Sequence, residues 1–290
     1  MRESDKVFLQ SCVSFLKSGI QWAIPVSGGS INECYHLISK DNRHFFVKIN
    51  RLSFADNFEN EKLNLEYLKN KSSLVVPEVW GIVKNEVDHR VYLVLEYLEK
   101  TAETKEFYGL FGKGLAELHQ HSHSHFGWFQ DNYMGSLSQS NSWCEQWLDF
   151  FVTQRLEPLV KKCFDSGMWQ KKDLVCFENL YKNLGDIFPK EVPSLLHGDL
   201  WQGNRMAVSG GVAVFDAACY FGHREMDIAM NFLFGQLPGI FFDAYNAVYP
   251  LEKGFLERKD LYNLYPLLVH AVLFGRSYIY EIKSIIKKFA

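Results

Sequence analysis

The chain has 290 residues, 47% hydrophobic, 16% aromatic and 22% charged, with a formal net charge of −3. That length supports one large domain or two lobes around a sizeable, aromatic-rich core, and the composition is globular. No basic run stands out beyond a few lysines near the C-terminus, which argues against nucleic acid as the main partner. No apolar run approaches the roughly 18 residues of a membrane span, and no apolar stretch follows the mixed charges of Met1–Lys6, so neither membrane nor signal peptide is expected. Cys12, Cys34, Cys144, Cys163, Cys176 and Cys219 are scattered without a Cys-x-x-Cys pair. That pattern suits free thiols in a reducing, cytoplasmic setting.

In chain order, Val7, Phe8, Cys12, Phe15 and Leu16 have the spacing of an amphipathic helix over 5–18. Trp22–Val26 reads as extended, then comes the loop Ser27-Gly28-Gly29-Ser30-Ile31-Asn32, then a second strand, Cys34–Ile38. Strand, glycine loop and strand suit a flap whose backbone N–H groups contact phosphates, with Gly28, Gly29 and Ser30 at its tip. The loop is not a Walker A sequence and lacks the full Gly-x-Gly-x-x-Gly, so taken alone it reads as a plain hairpin. Cys34, close behind it, is read as a small buried strand residue rather than a redox group.

Asp41-Asn42 marks a turn, and His44–Ile49 a strand carrying Lys48 between apolar neighbours. A helix over Asn57–Lys69 puts Phe58, Glu61, Leu65 and Leu68 near one face. Glu61 therefore points inward, whereas Glu66 suits a solvated face. Strands follow at Val79–Val83 and from Arg90 to Glu96-Tyr97-Leu98, where the first lobe, 1–98, is expected to pass into a second, 99–290. Beyond it Phe107–His119 is an amphipathic helix. His119, His121, His123 and His125 alternate at its end, and with no acids or cysteines converging they read as a helix end rather than a metal site. Phe126–Trp128 and Asn132–Gly135 are loop-like. Trp143–Leu159 and Phe177–Leu184 read as helices.

The stretch His197-Gly198-Asp199-Leu200-Trp201-Gln202-Gly203-Asn204 has the form His-x-Asp-x-x-x-x-Asn, the spacing of a kinase catalytic loop. Phosphoryl transfer to a hydroxyl needs a carboxylate to take the acceptor's proton, a role for Asp199, and oxygen ligands for magnesium. Asn204 supplies one ligand. The hairpin signal Ser209-Gly210-Gly211 and the apolar strand Val212–Phe215 lead to Asp216, the second. In this arrangement Lys48 holds the phosphates of ATP, Glu61 holds Lys48, and the backbone at Glu96, Tyr97 and Leu98 meets the adenine. Asp227, opening a buried helix expected over Ile228–Phe234, suits acceptance of hydrogen bonds from the catalytic loop. Helices rich in Leu, Tyr and Phe fill Asp243–Lys288.

His197–Asn204, HGDLWQGN, and Asp216–Asp227, DAACYFGHREMD, resemble the signatures of the fructosamine kinase (ketosamine-3-kinase) family. That family is related to aminoglycoside and choline kinases, and the resemblance runs from Ser27 to the C-terminal helices. It implies a bilobal α+β protein-kinase-like fold, ATP and Mg2+ as cofactors, and a small-molecule ketosamine or glycated amine as partner. The implied acceptor is the third-carbon hydroxyl of a fructosamine or ribulosamine, with deglycation as the result. Ala217 stands where the family has proline, so a looser turn after Asp216 is expected. His197, Trp201, His223, Arg224, Glu225 and Asp227 belong to the acceptor pocket or to the groups behind it. Trp201 is either a platform for the sugar or a core residue pinning the loop, and His223 and Arg224 either fix the loop and line the acceptor pocket or form a structural polar cluster. An aminoglycoside or amino alcohol kinase is the first rival, and a nucleotide-binding protein without turnover the second.

Overall fold

The computed structural model describes residues 1–12, 18–27, 31–233 and 235–290. Helix α1 (Glu3–Cys12) precedes strands β1 (Ile20–Val26), β2 (Glu33–Ser39) and β3 (His44–Arg51), then helix α2 (Ala55–Leu68) and strands β4 (Val79–Asn85) and β5 (Arg90–Glu96). The five strands form one antiparallel sheet in the order β1-β2-β3-β5-β4. Its hairpin at Asn42 uses a φ of +60°, a conformation asparagine tolerates.

Period-two alternation in β3 sorts the sheet's two faces. Phe45, Val47 and Ile49 pack with Leu9 of α1, Leu37, Tyr92 and Val94 on one side. Phe46 turns to the other side, where Phe58, Leu65 and Leu68 of α2 lie over Leu93 and Leu95. Lys48 shares that second face by alternation, which aims a buried ammonium at α2. The N-terminal helix is tied down by Asp5, which accepts from the Tyr92 hydroxyl at 2.8 Å.

After Glu96 an extended connector leads to α3 (Lys105–His119), capped by Thr104. The remainder comprises strands β6 (Asn132–Met134) and β7 (Leu137–Gln139), helices α4 (Trp147–Phe150), α5 (Glu157–Asp165) and α6 (Lys171–Ile187), and strands β8 (Ser194–Leu196), β9 (Arg205–Val208) and β10 (Gly211–Val214). Strand β11 (Tyr220–Gly222) and helices α7 (Glu225–Met230), α8 (Gly239–Val248), α9 (Phe255–Phe274) and α10 (Ile279–Phe289) complete it. Among the described residues no helix is long and apolar enough to cross a membrane.

Three sequence expectations are corrected here. The helix expected over Trp143–Leu159 starts at Trp147 and relaxes into a π-helical turn at Phe151–Leu156, which turns Arg155 into the core at 0% exposure. Asn132–Met134 is a strand rather than a loop, because its hairpin with β7 supplies the ladder partners. The helix expected over Ile228–Phe234 ends at Met230, and Phe234 lies outside the described residues.

Candidate active site

Lys48, 3% exposed, donates from Nζ to Glu61 Oε1 at 2.5 Å and to Asp216 Oδ1. Burial opposes its charge, but Asp216 and Glu61 outweigh burial and hold the ammonium above the usual lysine range. Residues 48, 61 and 216 thus meet from a strand, a helix and a turn of widely separated sequence.

The loop from β8 to β9 carries Asp199. Its entrance needs Gly198, with φ +85°, because a Cβ there would lie 2.0 Å from the Ala218 carbonyl oxygen. Asp227, in the first turn of α7, accepts from the backbone N–H groups of His197 at 2.7 Å and Gly198 at 2.9 Å. Asp227 is itself held by His119 Nε2 at 3.2 Å, and His119 Nδ1 pairs with the Tyr245 hydroxyl at 2.8 Å. Burial pushes His119 below its ordinary pKa, so a neutral ring serves as the link. One turn along α7, Asn231 donates to Leu200 O at 2.8 Å. His197 Nε2 donates to Phe215 O at 3.0 Å, which joins the loop to the residue before Asp216.

Asn204 Nδ2 donates to the Asp199 backbone oxygen at 2.8 Å and to its carboxylate at 3.0 Å. Burial, then the negative charge of Asp216, pushes Asp199 up to about 7, against the Asn204 hydrogen bond. A carboxyl poised near neutrality suits proton acceptance from a hydroxyl. Asp216 adopts φ +60°, so its aim is set by a turn that its own preferences do not favour. Asp216 and Glu61 share the ammonium of Lys48, while Asp199 lies close enough to feel the charge of Asp216 but bonds to Asn204. The Asn204 amide oxygen and the Asp216 carboxylate form an all-oxygen donor pair, which fits a hard cation such as magnesium.

The other expected site residues fall in different places. Gly28, Gly29 and Ser30 lie outside the described residues. Glu96 is tied to Glu78 through both its N–H, at 2.8 Å, and its carboxylate, at 3.1 Å. The Tyr97 ring stacks on His36 with centroids 3.5 Å apart, and Leu98 is half-buried in the connector. Trp201 folds its indole over Gly203, where a Cβ would sit 2.2 Å from the ring. Cys34 pairs with Lys48 across the β2–β3 ladder, and burial pushes its thiol up to about 11 despite that lysine.

His223, Arg224 and Glu225 do not line a pocket. Their exposures are 1%, 2% and 0%. His223 stacks on Trp147 at 4.4 Å and pairs with the Tyr262 hydroxyl. Arg224 binds Glu191 at 2.8 Å and the carbonyls of Tyr249 and Pro250. Glu225 binds Arg258 at 2.7 and 2.5 Å. Of the two readings of this stretch, the geometry supports the one that fixes the fold. Asn64, His119, Asn132, Gln139 and Asn231, absent from the sequence reading of the site, all bond to its backbone or to Asp227. Asn231, alone among apolar neighbours from Ile228 to Leu233, carried a local signal, whereas Asn132 and Gln139, set among other polar residues, carried none.

A lysine-bearing antiparallel sheet over a loop of this geometry defines a phosphotransferase of protein-kinase-like fold. The aminoglycoside phosphotransferase APH(4)-Ia, solved with ADP and hygromycin B, shares that fold at a TM-score of 0.66, with 14% identity over 99% of both chains. The profile described as Fructosamine kinase matches residues 9–290. A probable ketoamine kinase of Vibrio parahaemolyticus is 39% identical over 267 residues, 91% of each chain. A candidate fructosamine-3-kinase of Thermobifida fusca, solved by crystallography, superposes with a TM-score of 0.86 at 30% identity over 99% of both chains. The chain belongs to the fructosamine kinase family.

Proposed function

We propose that this protein transfers the γ-phosphoryl group of ATP to the third-carbon hydroxyl of a ketosamine, a fructosamine or ribulosamine. The observation that carries the reading is the convergence of Lys48, Glu61 and Asp216 beside the Asp199–Asn204 pair. The names borne by its relatives supply the acceptor class. The sheet and connector through residue 98 form the nucleotide lobe, and residues 99–290 the catalytic lobe. Bound there, magnesium-ATP would supply the phosphoryl group and the divalent charge that offsets the carboxylates. Asn204 and Asp216 would hold the metal, and Lys48, fixed by Glu61, would hold the phosphates. Asp199 orients the acceptor hydroxyl and takes its proton as the new O–P bond forms and the bond to the ADP oxygen breaks.

The 3-phosphate sits on the carbon next to the carbonyl, so enolisation toward the amine-bearing first carbon makes it allylic to the new C1–C2 double bond. Elimination of phosphate from that enaminol leaves an imine, and its hydrolysis by water frees the amine, which is the chemical basis of deglycation. Free thiols at Cys34, Cys144, Cys163, Cys176 and Cys219 agree with a cytoplasmic setting. The test is to incubate a synthetic ribulosamine and a synthetic fructosamine with the protein and magnesium-ATP, following phosphate ester and freed amine by NMR. Transfer to either supports the reading. Transfer to an aminoglycoside or to choline, with none to either ketosamine, overturns it.

A further inference from the structure

The turn that aims Asp216 has no bulky anchor of its own. Asp216 sits at φ +60°, and the next three residues, Ala217, Ala218 and Cys219, are small. Such a conformation persists only where the surroundings impose it. Here the restraint acts on the backbone. Asn64 donates to Ala217 O at 2.8 Å, Gln139 to Ala218 O at 3.4 Å, and Asn132 to Cys219 O at 2.8 Å. The Ala218 N–H donates to His197 O at 2.9 Å. The looseness expected from Ala217 in place of proline is thus met by three side-chain amides.

These amides differ in what stands behind them. Gln139 and Asn132 bond to each other at 2.7 Å, Asn141 donates to Asn132 at 3.0 Å, and the Tyr265 hydroxyl donates to Gln139 at 2.5 Å. Arg155 donates to Asn141 at 2.6 Å, closing a buried network within the helical region. Asn64 stands apart from it. It lies on α2, three residues after Glu61 and so on the same helix face. It is 2% exposed, and its Oδ1 has no partner among the described residues. Asparagine is a poor interior helix residue, and an orphaned buried acceptor is a standing cost. Both are tolerated at a position where an amide N–H is needed.

We propose that Asn64 is a positioning residue for Asp216. By fixing the Ala217 carbonyl it ties the metal ligand's aim to helix α2, so the Lys48–Glu61 pair and the metal ligand are set by one element. The inference rests on the reading of Asp216 as a metal ligand, but not on the identity of the acceptor.

The experiment measures the Mg2+ concentration needed for half-maximal binding of a non-hydrolysable ATP analogue, by calorimetry, with no acceptor present. Asn64→Leu keeps the volume and removes the donor, and Asn64→Ala is the second variant should the first fold poorly. Both should raise the Mg2+ midpoint about 10–100-fold, the usual loss when a residue orienting a metal ligand is removed. Binding of the metal-free analogue should be unchanged. Asn263→Ala is the matched control, since Asn263 makes the same kind of bond, to Ala229 O at 2.9 Å, and has an equally unpartnered Oδ1. It should lower the melting temperature without moving the midpoint. If Asp216→Asn shifts the midpoint and neither Asn64 variant does, the inference is overturned alone. If Asp216→Asn leaves it unmoved, the metal reading falls and takes the inference with it.

Discussion

The active site and the helical interior behind it concentrate charge in opposite ways. At the active site Glu61 and Asp216 share the Lys48 ammonium, and burial and the charge of Asp216 push Asp199 up to about 7. In the helical interior, Arg224 faces Glu191 and Arg258 faces Glu225, one cation to one acid. Unbalanced charge leaves the active site in want of a cation and a proton. Balanced charge leaves the interior in want of nothing, and it acts there as a clamp: Arg224 grips the backbone of Tyr249 and Pro250, and Arg258 that of Glu252 and Lys253. A charged motif is therefore read better from its local charge sum than from the number of its charged residues.

Substitutions on either side should separate these roles. The largest effect is expected from Asp199→Asn, which keeps the shape and removes the proton acceptor. Turnover should fall about 10²–10⁴-fold while magnesium-nucleotide affinity stays near normal. Near-normal rates in steady-state assays would show that Asp199 is not the base. On the balanced side, Arg258→Ala strands Glu225 at 0% exposure. Breaking a buried pair in this way typically costs about 3–5 kcal/mol of stability. Denaturant unfolding should show that loss, and folded enzyme at low temperature should keep its nucleotide affinity.

A smaller effect concerns pH. Burial, then the charges of Arg258 and Arg224, hold His223 well below the ordinary value of 6.5. Below that pH the unfolded chain takes up a proton that the native state refuses, so this contribution is complete above it and lost as pH falls. Wild type should therefore lose about 1.4 kcal/mol per pH unit more than His223→Gln on acidification below pH 6.5. Parallel stability curves for the two proteins would contradict the assignment. The smallest effect is expected from Trp201→Ala. Its ring rests on Gly203, so ketosamine phosphorylation and the slow hydrolysis of ATP should decline together, by a similar factor, along with the melting temperature. Selective loss of ketosamine use would restore the sugar-platform reading.

The fold class was legible because its signals are local. Alternation in His44–Ile49 exposed the strand, spacing in Phe58–Leu68 the helix, and together they predicted the face on which Lys48 and Glu61 meet at 2.5 Å. The His197–Asn204 loop was legible for the same reason: Asn204 reaches Asp199 from five residues away, within one turn of chain. What stayed hidden acts across long separations on backbone atoms, which have no identity in sequence. Asn64 reaches the Ala217 carbonyl and Asn132 that of Cys219.

By itself, then, the sequence determined which groups were present and which neighbours they had: the lysine strand, the inward glutamate, the loop acids and their order. Only the tertiary structure decided which charges would go unpaired. Gly222–Glu225 and Asp216 are a few residues apart and both carry charge. Yet Arg258 and Glu191 arrive from distant segments to neutralise the first, while Asp216 shares the Lys48 ammonium with Glu61. Pairing depends on what packing brings within about 4 Å, and no reading of local spacing contains that distance.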